Sequence, residues 1–162
     1  MKNIRYLLDK SEYKSINFIL KTASTLSKND NLEIYVIGGF VRDLIMGNPI
    51  DDIDIMIVGD GISFAKKLAK KLDIKKIISF EKFGTAIIPN KDIQIEVATA
   101  RKEVYNNNSR KPSKVIYTNL KGDLMRRDFT INAMAMDISK SKFGDFTDPF
   151  NGISDIENKI IK

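Results

Sequence analysis

Residues 37–60, IGGFVRDLIMGNPIDDIDIMIVGD, place two adjacent glycines, an Arg-Asp pair and two aspartates one residue apart within one short span. The order of residues predicts a strand that ends at the glycines, a short helix over residues 41–46, and a second strand from Asp52 to Val58. Because the second strand is apolar on both sides, we expect it to be central in a sheet. Ionised carboxylates are costly to desolvate unless they are paired or metal-bound, so Asp52 and Asp54 at the mouth of this strand need a chemical reason.

The two aspartates share one face of their strand, because successive strand residues alternate between faces. Two like charges at about 4 Å repel by about 4 kcal/mol at an effective dielectric near 20, and a divalent cation between them relieves that repulsion. Oxygen ligands of this kind suit Mg²⁺, with Mn²⁺ as the second candidate. Glu96, on the open face of a predicted hairpin strand, is the candidate third ligand if that strand is a neighbour of the aspartate strand. The aspartates are also compatible with an exposed turn, and Glu96 with a solvated strand position.

The glycine pair separates the first strand from the short helix. Gly38 and Gly39 let the backbone approach a phosphate closely, and the helix that follows directs free N–H groups toward it. Arg42 can bind phosphate oxygens through its forked guanidinium, while Asp43 can orient that arginine or favour the helix N-terminus. Glycine pairs also occur in plain turns. Phosphate-binding groups beside carboxylates in one span indicate a metal-bound triphosphate site.

The composition narrows the chemistry. The chain has 162 residues, 43% hydrophobic and 30% charged, which fits one globular domain with a core. The formal net charge of +6 favours an acidic partner such as nucleic acid, although it also aids solubility. With no cysteine and no histidine, disulfide partners, thiolate chemistry, imidazole bases and most zinc sites are excluded. The sequence shows neither a signal peptide nor a membrane span, so we expect a cytoplasmic protein without a membrane partner.

The rest of the chain alternates helix and strand patterns before it becomes polar. A helical period over residues 14–26 predicts an amphipathic helix ahead of the glycines. Asp60 is a candidate cap for a further helix with an apolar inner face and a lysine-rich outer face. Beyond it we expect a hairpin at 83–99, a long polar loop at 101–119, a helical turn at 123–127, strands at 131–138 and 143–147, and a last helix at 153–161.

At these motifs the sequence resembles the catalytic head domain of class II tRNA nucleotidyltransferases, or CCA-adding enzymes, and bacterial poly(A) polymerases, within the DNA polymerase beta superfamily. GGFVRDLIMG followed by DIDIMIVGD is similar to the Gly-Gly and Asp-x-Asp signature of that family. FGTAII, IEVATARKEVY and DLMRRDFTINAMAMD resemble three further blocks in the right order, and FTDPFNGISDIENKII resembles the closing segment. The resemblance covers nearly the whole chain, residues 34–161.

The resemblance implies an α/β, more fully α+β, fold: a polymerase beta-like head with a mixed, mostly antiparallel sheet packed against helices. It implies one head domain over residues 1–162. Within it we expect a lead-in helix at 1–31, the Gly-Gly and Asp-x-Asp core at 33–60, a flexible loop at 101–120 and a closing helix at 152–162. We also expect the neck, body and tail domains of the family to be absent.

The resemblance further implies transfer of CMP or AMP from CTP or ATP to the 3′ end of tRNA or another RNA. It assigns Asp52, Asp54 and Glu96 to two catalytic Mg²⁺ ions. It assigns nucleotide binding to residues of two separate segments, which are Gly38, Gly39, Arg42 and Asp43 in the first and Arg126, Arg127, Asp128 and Asn132 in the second. Apart from the family, the RRD triplet reads as a solvated helix end, Asn132 as a strand-start residue and the polar loop as a basic surface loop.

The sequence departs from the family pattern in two places. No Glu-Asp-x-x-Arg motif for reading the base occurs, and Asn151 stands where the family often has glycine. FGTAII resembles the tRNA-type branch more than the poly(A) polymerase branch, while CC-adding and A-adding enzymes remain alternatives. A non-catalytic nucleotide- or RNA-binding module is the rival of another class, and a nucleotidyltransferase that modifies proteins is a further one. The sequence leaves the oligomeric state undetermined.

Overall fold

A computed structural model describes residues 2–91, 93–105 and 112–162. The α-helices of these residues are α1 (Lys14–Asn29), α2 (Gly39–Met46), α3 (Gly61–Lys71), α4 (Leu120–Leu124) and α5 (Gly152–Glu157). The strands are β1 (Glu33–Ile37), β2 (Asp52–Val58), β3 (Ile78–Phe80), β4 (Thr85–Ile88), β5 (Gln94–Thr99), β6 (Arg101–Tyr105), β7 (Pro112–Tyr117), β8 (Ala135–Asp137) and β9 (Phe146–Thr147). Short 3-10 turns, among them Thr130–Asn132, join several of these elements.

Seven strands form one sheet in the order β3-β4-β5-β2-β1-β8-β9. Neighbouring strands run antiparallel except β2 and β5, which run parallel. The prediction of a mixed, mostly antiparallel sheet is therefore confirmed, and so is the central position of β2.

Helices α1, α2, α3 and α5 cover one face of this sheet, while α4 packs on the other face, where Leu124 joins a smaller cluster with Met56. On β2, Ile53, Ile55 and Ile57 point to the first of these faces and are buried in one core with side chains of α1 and α3. Asp52 and Asp54 alternate with them and therefore lie on the opposite face. The chain thus buries Ile53, Ile55 and Ile57 in the main core, and on the other side of β2 it buries Met56 while Asp52 stays exposed and Asp54 half-buried.

Local sequence explains where the covering helix begins. The Asp60 side chain accepts a hydrogen bond from the Ser63 amide at 2.9 Å, which confirms the predicted cap of α3. Along α3, Phe64 and Leu68 are buried while the four lysines face solvent. In the part of the chain that the structure describes, no helix is long and apolar enough to cross a membrane.

The polar segment at 101–120 differs from the loop that we expected. Its two arms pair as an antiparallel hairpin, β6 with β7, and Asn119 caps α4 by accepting from the Gly122 amide. Lysines within both arms hide the strand pattern from a reading of hydrophobicity, and the pairing itself is a tertiary fact. Residues 106–111, at the centre of the predicted loop, lie outside the described residues.

The structure also corrects the predicted bounds of several helices and strands. The closing helix α5 ends at Glu157 rather than continuing to the chain end, and Asn158 closes it. β8 is shorter than predicted because residues 130–132 form a 3-10 turn, and β9 is shorter because residues 140–144 form a turn. Strand β3 was not predicted, since its three residues are all exposed.

Candidate nucleotide-transfer site

The parallel pairing of β2 with β5 brings the candidate carboxylates together. Asp52 lies opposite Gln94, and Asp54 lies opposite Glu96, on the face of the sheet away from the main core. This is the adjacency that the sequence alone could not establish. Asp52 is exposed, whereas Asp54 and Glu96 are half-buried. Among the described residues, none of these three side chains has a hydrogen bond or salt bridge.

Asp54 is the most perturbed member of the group. Burial, followed by the charges of Asp52 and Glu96, raises the pKa of Asp54 to about 6, while Arg127 and Arg42 act in the opposite direction. Asp54 therefore lies where negative charge is concentrated and incompletely neutralised. That electrostatic environment suits a bound cation.

The three carboxylates do not form a ready-made cage. Within the described ranges, no three acidic side chains are spaced closely enough to hold one metal ion together. The backbone register nevertheless fits ligation, since neighbouring strands are about 5 Å apart and the side chains share one face. Rotation of side chains, with Asp52 already exposed, is the change that coordination by these oxygens requires.

The glycine pair lies against the same group. Gly38 has φ +68°, and a Cβ added there would lie 2.7 Å from Nη1 of Arg127 and 3.3 Å from Oδ2 of Asp54. A larger residue would therefore be strained and would crowd both side chains. Gly39 is the first residue of α2, so the free amides of that helix begin beside the carboxylates.

Arg42 and Asp43 form a fixed pair on α2. The Arg42 guanidinium donates to both carboxylate oxygens of Asp43, at 3.1 Å from Nε and 2.7 Å from Nη2, and its Nη1 donates to Oδ1 of Asn132 at 2.7 Å. The hydrogen bond with Asp43 raises the pKa of Arg42, against the smaller effect of burial. Asp43 therefore orients Arg42, and the bond to Asn132 joins the two segments that the sequence analysis assigned to nucleotide binding.

Arg127 completes this junction. Its Nη1 donates to the Asn132 carbonyl at 3.4 Å, and its guanidinium lies beside Gly38. Its Nε is buried and has no hydrogen-bond partner among the described residues. The positive charge of Arg127 thus lies near Asp54, whose pKa it lowers. Asp128 is more peripheral, because it is exposed and contacts Asn132 only at 3.5 Å.

The sequence analysis missed Asp123, which holds both arginines of the RRD triplet. This carboxylate is only 1% exposed. Its Oδ1 accepts from Arg126 at 3.0 Å, and its Oδ2 accepts from Arg127 at 3.3 Å. An acidic residue three and four positions before two arginines on a helical turn is the signal that could have found it.

Arg126 faces the hairpin rather than the carboxylates. Its Nε donates to the Arg101 carbonyl at 3.1 Å, and the Arg101 amide donates to Oδ1 of Asp123 at 3.2 Å. Arg126 therefore links the RRD triplet to the start of β6. Arg127 rather than Arg126 is therefore the arginine of the triplet that lies beside the group formed by Asp52, Asp54 and Glu96.

These contacts give the site two distinct sides. On the side of β1, Gly38, Arg42 and Arg127 supply backbone amides and positive charge. On the side of β5, Glu96 supplies negative charge. The arrangement can bind a polyanion on the first side and hold a cation between the two.

Comparison with known proteins identifies one matching family and several relatives. The profile of the family described as Poly A polymerase head domain matches residues 34–162. An A-adding tRNA nucleotidyltransferase from Aquifex aeolicus (strain VF5) is 40% identical over 131 residues, which is 81% of this chain and 16% of that protein.

Solved structures give the same picture. A CCA-adding enzyme in an apo form superimposes with a TM-score of 0.88 at 35% identity, over 99% of this chain and 38% of that one. A tRNA nucleotidyltransferase complexed with a primer tRNA and an incoming ATP analog superimposes with a TM-score of 0.72 at 34% identity, over 86% of this chain and 38% of that one. This chain therefore spans well under half the length of the relatives that it matches.

Proposed function

Because this chain belongs to the Poly A polymerase head domain family, we propose that it is the catalytic head of a template-independent tRNA nucleotidyltransferase. In this proposal it transfers CMP or AMP from CTP or ATP to the 3′ end of tRNA. The observation that carries the proposal is the register of Asp54 opposite Glu96, beside Gly38 and Arg127. Support for tRNA and a nucleotide as partners comes from the related enzyme complexed with a primer tRNA and an ATP analog.

Mg²⁺, or alternatively Mn²⁺, is the cofactor that the donor set fits. Asp52, Asp54 and Glu96 would hold it through oxygen atoms only, and the raised pKa of Asp54 is the observation that favours a cation there. When bound, two such ions stabilise the attacking and leaving oxygens of an in-line displacement. The three carboxylates and the rigid β2–β5 backbone set where those ions lie.

The residues on the β1 side are proposed to hold the triphosphate. Backbone amides after Gly38 and Gly39 approach its oxygens, and Arg127 contributes charge there. Arg42, fixed by Asp43 and Asn132, is a second cation for the same anion. As the RNA 3′ oxygen bonds to the α-phosphorus, the bond to pyrophosphate breaks and the hydroxyl proton passes to solvent.

Base selection is proposed to lie outside these 162 residues. The groups described above contact phosphates and metal, which all four nucleoside triphosphates share. We therefore expect this chain to bind CTP, ATP, GTP and UTP with similar affinity in Mg²⁺, and to add no defined CCA end by itself. A strong preference for one base would contradict that division.

The product distinguishes the branches of the family. The natural full-length protein is incubated with tRNA lacking its 3′ end, CTP and ATP, and the extended RNA is sequenced. C-C-A addition is the expected result. Addition of a single A would indicate the A-adding branch, which is the activity in the name of the Aquifex relative. A long A tail would indicate a poly(A) polymerase. No incorporation with any nucleotide, despite nucleotide binding, would favour a non-catalytic module.

A further inference from the structure

The sheet face that carries Asp54 and Glu96 continues past these carboxylates to an apolar edge. Residues paired across neighbouring strands share a face, and one such row runs from Asp54 to Glu96, then Ile87 on β4 and Ile78 on β3. Ile87 is about 5 Å and Ile78 about 10 Å beyond Glu96 at ordinary strand spacing. The apolar edge therefore borders the site on the side away from the glycines.

The next row adds an aromatic ring to this edge. Phe80 pairs with Thr85, which pairs with Ala98 of β5, so Phe80 lies on the same face. Ile78 is 43% exposed and Phe80 44% exposed, although large apolar side chains are usually more buried. We call Ile78, Phe80 and Ile87 the sheet-edge shelf.

The guanidinium of Arg101 lies near the shelf. Nη1 of Arg101 donates to the Phe83 carbonyl at 2.8 Å and to Oγ1 of Thr85 at 3.4 Å. The guanidinium also lies 5.6 Å from the centroid of the Phe83 ring, and Thr85 is the strand partner of Phe80, so the cation is one residue away from the shelf. An apolar, aromatic surface bordered by positive charge matches a nucleobase with its phosphate.

The geometry of the transfer reaction determines which reactant lies on the side of Glu96 and the shelf. The attacking and leaving oxygens are roughly in line on opposite sides of the α-phosphorus. The leaving pyrophosphate belongs with the positive groups at Gly38 and Arg127. The attacking hydroxyl must therefore approach from the side of Glu96, where the shelf is the neighbouring surface.

We propose that the sheet-edge shelf binds the last nucleotide of the RNA acceptor, with its base stacked on Phe80 and packed against Ile78. This inference rests on the proposed function, because it takes the carboxylates as the point where the RNA hydroxyl reacts. The shelf makes no use of base-edge hydrogen bonds, so it accepts any terminal base. That tolerance suits an acceptor end whose sequence changes as nucleotides are added.

The test separates RNA binding from triphosphate binding. Phe80→Ala and Ile78→Ser are compared with Phe18→Ala, whose ring is 63% exposed on α1 at the helix-covered face. In the full-length protein, KM for tRNA lacking its 3′ end should rise roughly 5- to 100-fold in Phe80→Ala, the range for loss of one stacking contact. KM for CTP and ATP should stay within about twofold of wild type, since stacking at the shelf does not involve the triphosphate. Phe80→Tyr should restore the RNA KM.

A fluorescence measurement reads the shelf without catalysis. An RNA hairpin with an unpaired 2-aminopurine at its 3′ end should be quenched on binding wild type and Phe18→Ala, and less so on binding Phe80→Ala. Unchanged quenching and unchanged RNA KM in Phe80→Ala would overturn the inference, as would an equal rise in both KM values. If wild type extends no RNA, the proposed function fails, while the quenching result still decides whether the shelf binds an RNA end.

Discussion

Asp54 and Glu96 are directly paired residues of the parallel strands β2 and β5, on the sheet face away from the main core. Their pairing concentrates negative charge beside the positive groups at Gly38 and Arg127. Negative charge concentrated in this way destabilises the metal-free protein and stabilises a bound cation.

Asp54→Asn should stabilise the metal-free protein at neutral pH. The folded-state pKa of Asp54 is raised from 3.8 to about 6, so the folded protein holds a proton that the unfolded chain has lost between those values. The free energy of unfolding therefore falls as pH rises through this window, by up to about 3 kcal/mol. Asn removes that cost, and we expect a gain of about 1–3 kcal/mol at pH 7.5 that disappears at pH 4.

Urea unfolding with EDTA at the two pH values measures this gain. Asp30→Asn is the control, because it removes a surface carboxylate that pairs with Lys67 at 2.7 Å. It should change stability by only about 0–1 kcal/mol in the destabilising direction. A loss of stability in Asp54→Asn at pH 7.5 would contradict the charge arrangement.

Triphosphate binding in Mg²⁺ should weaken below pH 6. Ligation needs the ionised carboxylate, and below its pKa of about 6 Asp54 must first release a proton. The affinity should fall by roughly tenfold per pH unit once Asp54 is protonated. Calorimetric titration with ATP in buffers of different ionisation enthalpy should detect proton release at pH 5.5 and little at pH 7.5. An affinity that is flat from pH 7.5 to 5 would exclude Asp54 as a ligand.

Gly38→Ala should abolish triphosphate binding while the protein remains folded. The added methyl would meet Nη1 of Arg127 at 2.7 Å, and the φ of +68° disfavours any side chain. Gly47→Ala is the control for a side chain at positive φ, since Gly47 lies in the αL region with φ +69° and its added methyl would meet nothing closer than 3.9 Å. Gly47→Ala should lose about 1–2 kcal/mol of stability, and Gly38→Ala should lose more, because its ψ of −135° lies outside the αL region and its methyl is crowded. If both bind ATP as wild type does, crowding at Arg127 is irrelevant to the site.

Asp123→Asn should reduce triphosphate affinity by acting through Arg127. Asp123 is buried and pairs with Arg126 and Arg127, so loss of its charge leaves both guanidiniums less firmly held. We expect about tenfold weaker ATP binding and a stability loss of about 1–3 kcal/mol. Titrations of Asp123→Asn, Arg127→Gln and the double variant measure the coupling. Asp123 is a positioning residue if the double variant binds ATP no worse than Arg127→Gln, and fully additive losses would refute that role.

Local patterns predicted the parts of this fold that depend on near neighbours in sequence. The alternation in β2, the cap at Asp60 and the β4–β5 hairpin follow from side-chain periodicity and turn residues, and all are confirmed. Close packing of carboxylate, glycine and arginine near Gly38 agrees with the candidate site, while the roles of those residues stay predictions.

Long-range pairing explains what the sequence did not reveal. The parallel register of Asp54 with Glu96 joins strands that are not consecutive, and no local pattern determines it. The β6–β7 hairpin has a polar, lysine-containing sequence, so hydrophobic periodicity could not identify it. Asp123 gains its importance only from the arginines that fold around it.

Single-turnover transfer by carboxylate variants tests the central claim most directly. Full-length wild type is compared with Asp54→Asn, Glu96→Gln and the control Glu33→Gln, each mixed with tRNA lacking its 3′ end, CTP and Mg²⁺. Glu33 pairs with Val58, at the end of β2 opposite Asp52. We predict that Asp54→Asn and Glu96→Gln remain folded and lose at least roughly 100-fold in the transfer rate, since each removes a proposed metal ligand, while Glu33→Gln transfers at the wild-type rate. Transfer near the wild-type rate by folded Asp54→Asn would contradict the claim that this pair of strands forms the catalytic centre.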